Sequence, residues 1–340
     1  MEIIRLEQEI VPELKEILQR RFMILQKIKY NGPIGRRMLS TSLNIGERII
    51  RNEVEILKEL KLISVKSEGV SITDRGQNVL LYLQNYIHES KGLGKLEESI
   101  KQSLGIKEVH IVPSDAVDER FTVKEVGRFA SAFLSEIVIE HATIAIAGGS
   151  TMRQVVSSCK NSKSFSHVMV VPARGGVGRN VESQANTLAA QLAEKFNGNY
   201  KLLHVPDNLS QAALKALMED ENISEIVKII KNADILLYGI GEAENMAYKR
   251  GASQQVIKEI MAKGAVGEAL GNYYDINGNV VYHHTTMGIN HDDCCKIRYA
   301  IAVACGVNKS KAIVGAIRNK KNNILITDEN TACEIFKLLS

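Results

Sequence analysis

Four short stretches of this 340-residue chain carry groups able to hold an anion, and each follows an apolar run. Gly148-Gly149-Ser150-Thr151 follows ATIAIA. Its glycines let a backbone approach an anion, and its two hydroxyls donate hydrogen bonds. The next segment, MRQVVSSC, reads as a helix whose first N–H groups point the same way. Pro172-Ala173-Arg174-Gly175-Gly176 follows VMVV, and the planar guanidinium of Arg174 suits a phosphate. Gly239-Ile240-Gly241-Glu242 follows ADILLY, and Cys305-Gly306-Val307-Asn308-Lys309 follows YAIAVA, where Lys309 adds a point charge. A Gly-Gly after a strand is more often a plain tight turn. Four such ends, two of them basic, together predict a phosphate-binding mouth. No GxGxxG opening and no GxxxxGK[ST] occurs, which disfavours dinucleotide and P-loop nucleotide binding.

A second set of residues suits nucleic acid. The whole chain has a net charge of +4, but residues 20–66 hold eleven Lys/Arg against four acids, a local balance of +7. A basic segment on a nearly neutral body points to a polyanion-binding module. Within it, Arg48, Arg51 and Asn52 have side chains able to pair with guanine or adenine edges, with Glu47 beside them. Arg36 and Arg37 are placed to meet phosphates, which position a protein without reading sequence. Lys66 can reach a neighbouring backbone. Helix-turn-helix geometry also serves protein–protein contacts, so a small helical bundle with a solvated charged face is the other reading.

The elements that must position these groups follow from periodicity. Leu14, Ile17, Leu18, Phe22, Leu25 and Ile28 recur at three and four, predicting a helix over 12–30 that Asn31-Gly32-Pro33 stops. Residues 34–43 read as a short helix, Asn44-Ile45-Gly46 as a tight turn, and 47–60 as a second helix with Ile49, Ile50, Val54, Leu57 and Leu60 as its apolar face. Short β-prone pieces at 62–65 and 70–72 flank Ser67-Glu68-Gly69, a hairpin signal. This is a winged helix-turn-helix. A helix over 73–90, capped by Thr73, carries Val79, Leu80, Tyr82, Leu83, Tyr86 and Ile87, more than one face of a linker needs, and is expected to pair subunits. Lys91-Gly92-Leu93-Gly94 marks a boundary, giving domains 1–92 and 93–340.

Beyond it, helical patterns alternate with apolar runs at 109–112, 142–147, 168–171, 200–205, 233–240, 299–304 and 323–328. Continuous apolar runs are expected for strands buried on both faces, and the repeated order predicts a largely parallel α/β domain, Rossmann-like in class. Ligands in such sheets sit beyond the carboxyl ends of the strands, where the four stretches lie. No apolar run is long enough to suggest a membrane span, the N-terminus does not read as a secretory signal, and five cysteines without a CxxC predict neither disulfides nor a zinc site, so a reducing cytoplasm is expected. His283-His284 and His291-Asp292-Asp293 have poor metal-ligand spacing, so no metal is expected. Asp328 reads as a helix cap.

RFMILQKIKYNGPIGRRMLSTSLNIGERIIRNEVEILKE, IAIAGGST, VPARGG, QANTLAA, GIGEA, GAVGEALGNYYD and NKSKAIVGAIRN occur in this order and span nearly the whole chain. In this it resembles the SorC/DeoR-like sugar-responsive repressors of bacteria. The resemblance implies a winged-helix DNA-binding domain joined to a sugar-phosphate-binding domain of the fold of glucosamine-6-phosphate deaminase and ribose-5-phosphate isomerase. It further implies repression of glycolytic genes, fructose 1,6-bisphosphate as inducer, no cofactor, and a homo-oligomer, dimer or tetramer, on operator DNA. By motif, the family's ligand contacts fall on Gly149, Ser150, Thr151, Arg174, Gly176, Gln184, Arg250, Glu268 and Lys309. Ser150 stands where the family often has Thr, which keeps the hydroxyl, and Cys305 where it often has Gly. The rival is a sugar-phosphate isomerase or deaminase fused to a DNA-binding domain. The deaminases carry an Asp-Gly-His loop after a GxG, whereas here residues 239–245 hold no His, leaving Glu242 and Glu268 as the groups able to move a proton. A third reading is an architectural DNA-binding protein with a vestigial sugar site.

Overall fold

The computed structural model describes residues 10–113, 119–159, 165–176, 180–206, 210–284 and 286–340. The chain divides into two compact units, one built on residues up to Lys95 and one on residues from Leu96.

In the first unit, α1 (Pro12–Asn31), α2 (Arg36–Leu43) and α3 (Glu47–Glu59) precede a hairpin of β1 (Ile63–Lys66) and β2 (Gly69–Ile72), and α4 (Asp74–Ser90) closes it. The turn between α2 and α3 is local chemistry. Asn44 takes a left-handed conformation at the end of α2, and the Ser40 hydroxyl donates to the Ile45 carbonyl at 2.6 Å. The wing pairs antiparallel from Ile63↔Ile72 to Lys66↔Gly69, and Ile34 bonds to Val70 in both directions, tying the wing to the entry of α2. One core holds the unit together: Phe22, Ile24, Leu25 and Ile28 of α1, Leu39, Ile50, Val54, Leu57, Val70, and Leu80 and Ile87 of α4. The Thr73 hydroxyl accepts from Gly76 N–H and caps α4 as expected.

Two expected faces differ. Ile49 and Leu60 are exposed rather than buried, and the inward position between Ile50 and Val54 belongs to Glu53. On α4, Leu80 and Ile87 serve this unit's own core, with Val79, Leu83 and Tyr86 packed against it, so most of the face assigned to subunit pairing is already used. Leu81 and Tyr82 remain exposed.

The second unit begins within α5 (Leu93–Leu104), at Leu96. It is organised by seven strands: β3 (Glu108–Val112), β4 (Thr143–Ile146), β5 (Met169–Pro172), β6 (Asn199–Tyr200), β7 (Ile235–Gly239), β12 (Tyr299–Val303) and β13 (Asn323–Asp328). They form one sheet in the order β3-β13-β12-β7-β4-β5-β6, and every pairing is parallel. Ile144, Ile146, Val170, Leu237, Ile301, Val303 and Ile326 lie at alternate positions on one face. They pack against α6 (Glu119–Ile137), α7 (Ser150–Ser158) and α8 (Ala185–Phe196). The alternate set, Ala145, Leu236, Ala302 and Leu325, is buried too, so both faces are covered and the strands read as continuous apolar runs. The remaining early helices are α9 (Gln211–Met218) and α10 (Glu221–Lys231).

A small antiparallel sheet sits beyond β7. It contains β8 (Gly241–Glu242), β9 (Gly267–Ala269), β10 (Asn272–Tyr274) and β11 (Val280–His283), in the order β11-β10-β9-β8. Helices α11 (Ala243–Lys249) and α12 (Gln254–Ala262) pack on it through Ala243, Ala247, Ile257, Ile260 and Tyr273. Leu270 and Gly271 form a two-residue hairpin loop with φ of 52° and 87°. Positive φ at both central positions is what a tight hairpin with native twist requires. Helices α13 (His291–Cys294), α14 (Ser310–Ile317) and α15 (Glu329–Leu339) complete the unit, and Asp328 caps α15 by accepting from Thr331 N–H. Among the described residues no helix is long and apolar enough to cross a membrane.

Candidate functional site

The switch in strand order fixes where the second unit can hold a ligand. β4, β5 and β6 run outward in one direction from the middle of the sheet, and β7, β12 and β13 in the other. Diverging loops at the carboxyl ends of β4 and β7 open a crevice there. Gly148-Gly149-Ser150-Thr151 leaves β4 and becomes the first turn of α7, with Gly149 as its N-cap at φ 125°. Gly148 must be glycine, because a Cβ would lie 2.7 Å from the Ser183 carbonyl oxygen. That close approach brings the loop before α8 against the β4 end, where Gly149 N–H donates to Ser183 O at 2.9 Å. An ion pair between Arg153 and Glu182 ties the same loop to α7. Gln184 follows as the N-cap of α8, its side chain beside Gly176. Thus Gly149, Ser150, Thr151, Gly176 and Gln184 gather at the ends of two adjacent strands, β4 and β5.

Arg174, just past the end of β5, is buried rather than open to solvent. Its Nη1 lies 3.5 Å from Oε1 of Glu268, and Nη2 of Arg250, at the end of α11, meets the same oxygen at 2.5 Å. The Gly271 N–H of the tight hairpin adds a third donor at 2.6 Å. Side-chain exposures are 7%, 5% and 4% for Arg174, Arg250 and Glu268, so solvent screens this triad little. Two guanidinium charges against one carboxylate leave it net positive, as an anion subsite requires. The small sheet makes this possible. β8 pairs with β9 so that Glu268 stands opposite Gly241, directly beyond β7.

Lys309 leaves β12 in a short 3-10 turn, Val307–Lys309, one strand away on the other side of β7. The same loop is braced by Asn308, whose amide donates to Glu242 at 2.8 Å, and by Gly306 N–H, which donates to Asp328 and Thr331. Asn245 also donates to Glu242, so this carboxylate holds loops together. His283 lies on β11, His284 stacks edge-on with Tyr273 and Tyr282, and Asp293 forms a capping box with Asn290.

The first unit presents its own surface. Arg48, Arg51 and Asn52 lie exposed on the first turns of α3, opposite the face that buries Ile50, Val54 and Leu57. Arg36 and Arg37 on α2 are exposed and sit 3.8 Å from Glu55 and Glu47. Exposed pairs at that distance contribute about 0–1 kcal/mol, so both arginines can turn to phosphates at little cost. Two other residues of the basic segment have different work. Arg20 and Arg21 donate to the two oxygens of buried Glu53 at 2.9 and 2.8 Å, which locks α3 onto α1. Residues that the sequence did not single out are therefore Glu53, Gly271 and Tyr273. Glu53 alone left a trace, since it falls at helical spacing among the buried residues of α3.

Comparisons with known proteins bear on the two units as domains. A family model for sugar-binding domains (Sugar-bind) matches residues 88–337, and a model of the CggR N-terminal DNA binding domain matches residues 17–87. The central glycolytic genes regulator of Bacillus subtilis is 37% identical over 336 residues, covering 99% of each chain. A SorC family transcriptional regulator from Enterococcus faecalis has a similar structure, with TM-score 0.65 and 33% identity, over 71% of this chain and 99% of that one. The full-length sorbitol operon regulator SorC from Klebsiella pneumoniae shares the fold at TM-score 0.67 and 21% identity, over 93% of this chain and 98% of that one. These relatives are named as regulators rather than enzymes. The chain belongs to the SorC family of transcriptional regulators, with an N-terminal DNA-binding domain followed by a sugar-binding domain.

Proposed function

We propose that the chain is a repressor of glycolytic genes whose hold on operator DNA is set by a phosphorylated sugar, fructose 1,6-bisphosphate. The observation that carries this reading is that two anion-receptive sets follow the ends of the consecutive strands β12, β7, β4 and β5, at the strand-order switch where ligands of such sheets sit. Gly149, Ser150 and Thr151 at the start of α7, with Lys309, hold one phosphate. Arg174, Gly176, Gln184 and Arg250 hold the other, and Glu268 accepts from sugar hydroxyls. The name of the Bacillus subtilis relative supports the glycolytic assignment. On the DNA side, α3 enters the major groove with Arg48, Arg51 and Asn52 at base edges and Glu47 beside them, while Arg36 and Arg37 rest on phosphates. One winged helix reads only a short site, so a homo-oligomer, dimer or tetramer, engages the operator in the cytoplasm.

Calorimetry on the full chain tests the effector. Fructose 1,6-bisphosphate binds the wild type. Arg174→Ala weakens it by about tenfold or more, because a hydrogen bond to a charged group contributes roughly 1.5–3 kcal/mol. Fructose 6-phosphate, seated at the α7 end, is affected much less. Equal losses for both ligands contradict two separate phosphate subsites, and no binding of either to the wild type contradicts the effector.

A further inference from the structure

Tyr273 lies in β10 directly opposite Glu268 in β9. Facing residues of an antiparallel pair project to the same side, with Cβ atoms roughly 4.5–5.5 Å apart. Tyr273 is fully buried, fixed by Ala243, Ala247, Ile257 and Ile260, with the rings of Tyr282 and His284 at 5.8 and 5.6 Å. Its neighbour Tyr274 faces the other way, and its hydroxyl meets His291 Nδ1 at 3.3 Å. The Tyr273 hydroxyl has no hydrogen-bond partner among the described residues. An orphaned buried hydroxyl costs folding free energy and calls for a reason. Burial, and then the Glu268 charge, hold the phenol well above its usual pKa, so it keeps its proton and stays a donor. Arg250 and Arg174 act on it in the opposite sense, which places all three charged groups of the triad within its electrostatic reach.

Glu268 faces a conflict when a phosphate arrives. It holds both arginines through one oxygen, yet the phosphate subsite needs those same guanidinium groups. The Gly271 N–H and the sugar hydroxyls remain with Glu268, but a buried carboxylate stripped of its cations is strongly disfavoured unless a further donor replaces them. We propose that Tyr273 is that donor: when a phosphorylated sugar draws Arg174 and Arg250 away, its hydroxyl takes over Glu268 and so sets the affinity for the second phosphate. Tyr273 is thus a positioning residue that acts through Glu268, and this role rests on the effector reading above.

Tyr273→Phe keeps the ring and removes only the hydroxyl. In calorimetry on the full chain it weakens fructose 1,6-bisphosphate by roughly ten- to a hundredfold, the worth of one hydrogen bond to a charged group. It leaves fructose 6-phosphate, seated at the α7 end, unchanged. The ligand-free variant melts at or above the wild-type temperature, because an orphaned polar group has been deleted. In a Glu268→Gln background the same change adds little, since the two residues act as one unit. Wild-type affinity for the bisphosphate in Tyr273→Phe overturns the proposal. So does a lower ligand-free melting temperature with equal weakening of both ligands, the signature of a packing role. If the wild type binds neither sugar, the effector reading fails and this inference fails with it.

Discussion

Replacing Glu53 by Ala removes the carboxylate that joins α1 to α3, the helix proposed to read DNA. The side chain is 3% exposed and receives Arg20 and Arg21 on its two oxygens. Deleting one partner of a fully buried ion pair costs about 3–5 kcal/mol. Here the guanidinium groups left behind are 30% and 28% exposed and regain water, so the expected loss is smaller, about 2–3 kcal/mol. At tenfold per 1.4 kcal/mol, hydrogen-exchange protection of the amides in α3 and the wing falls by roughly 30- to 150-fold. Protection in the seven-stranded sheet does not change. Glu53→Gln keeps the shape and can still accept a bond, so it loses less. Operator binding weakens with the population of intact α3 even though Glu53 lies on the buried face of that helix. Unchanged protection of α3 in Glu53→Ala, or a loss spread equally over both units, refutes the reasoning.

Arg48→Ala and Arg51→Ala should each cost about 1–3 kcal/mol of specific DNA binding and relax the preference at one base position, read by anisotropy on selected and scrambled duplexes. Intact specificity in both variants removes α3 as the reader. Gly148→Ala pushes a Cβ to 2.7 Å from Ser183 O, so the loop carrying Gln184 must move. Bisphosphate affinity drops in calorimetry, and an unchanged affinity contradicts the placement of that loop in the site. Lys320 is buried with its Nζ 4.1 Å over the Tyr274 ring, and burial pushes its pKa down to about 8 from 10.5. Between those two values the unfolded chain binds more protons than the folded one, so this group's contribution to stability rises with pH across the window, by up to about 3 kcal/mol. Urea titrations should find Lys320→Met more stable than wild type at pH 7, with the gap closing towards pH 10.5. A gap that does not depend on pH contradicts the burial of a charged amine.

The strands of the large sheet were legible because each is an apolar run buried on both faces. The 200–205 run was the exception, since only Asn199–Tyr200 pairs with β5. Asn186 explains it: its side chain takes both the N–H and the carbonyl of Leu203, at 3.1 and 2.9 Å, in place of a strand partner. The small sheet left no periodic signal, because its strands are two to four residues long. It nonetheless delivers Glu268 to the crevice, so the triad could not be read from spacing. Arg174 and Lys309 stood out as cations at strand ends, but nothing local showed that Arg174 would be buried against a carboxylate nearly a hundred positions away. On α3, counting every apolar residue of 47–60 into one helical face put Ile49 and Leu60 in the core. Helical geometry instead turned them outward and turned Glu53 in, where two arginines satisfy it.

Coupling between the two binding events tests the regulatory claim most directly. A duplex selected by the full chain from random-sequence DNA serves as the operator. Calorimetry gives the affinity of fructose 1,6-bisphosphate for the free chain and for the chain saturated with that duplex. Anisotropy gives the duplex affinity with and without the sugar. If the sugar shifts the chain to a form that holds DNA less well, the two ratios must agree by linkage, and a coupling of about 1–3 kcal/mol makes them about five- to 150-fold. The expected result is weaker sugar binding to the DNA-bound chain by that factor, with Arg174→Ala needing about tenfold or more additional sugar to release the duplex. Equal affinity of the sugar for the free and the DNA-bound chain contradicts a sugar-controlled repressor.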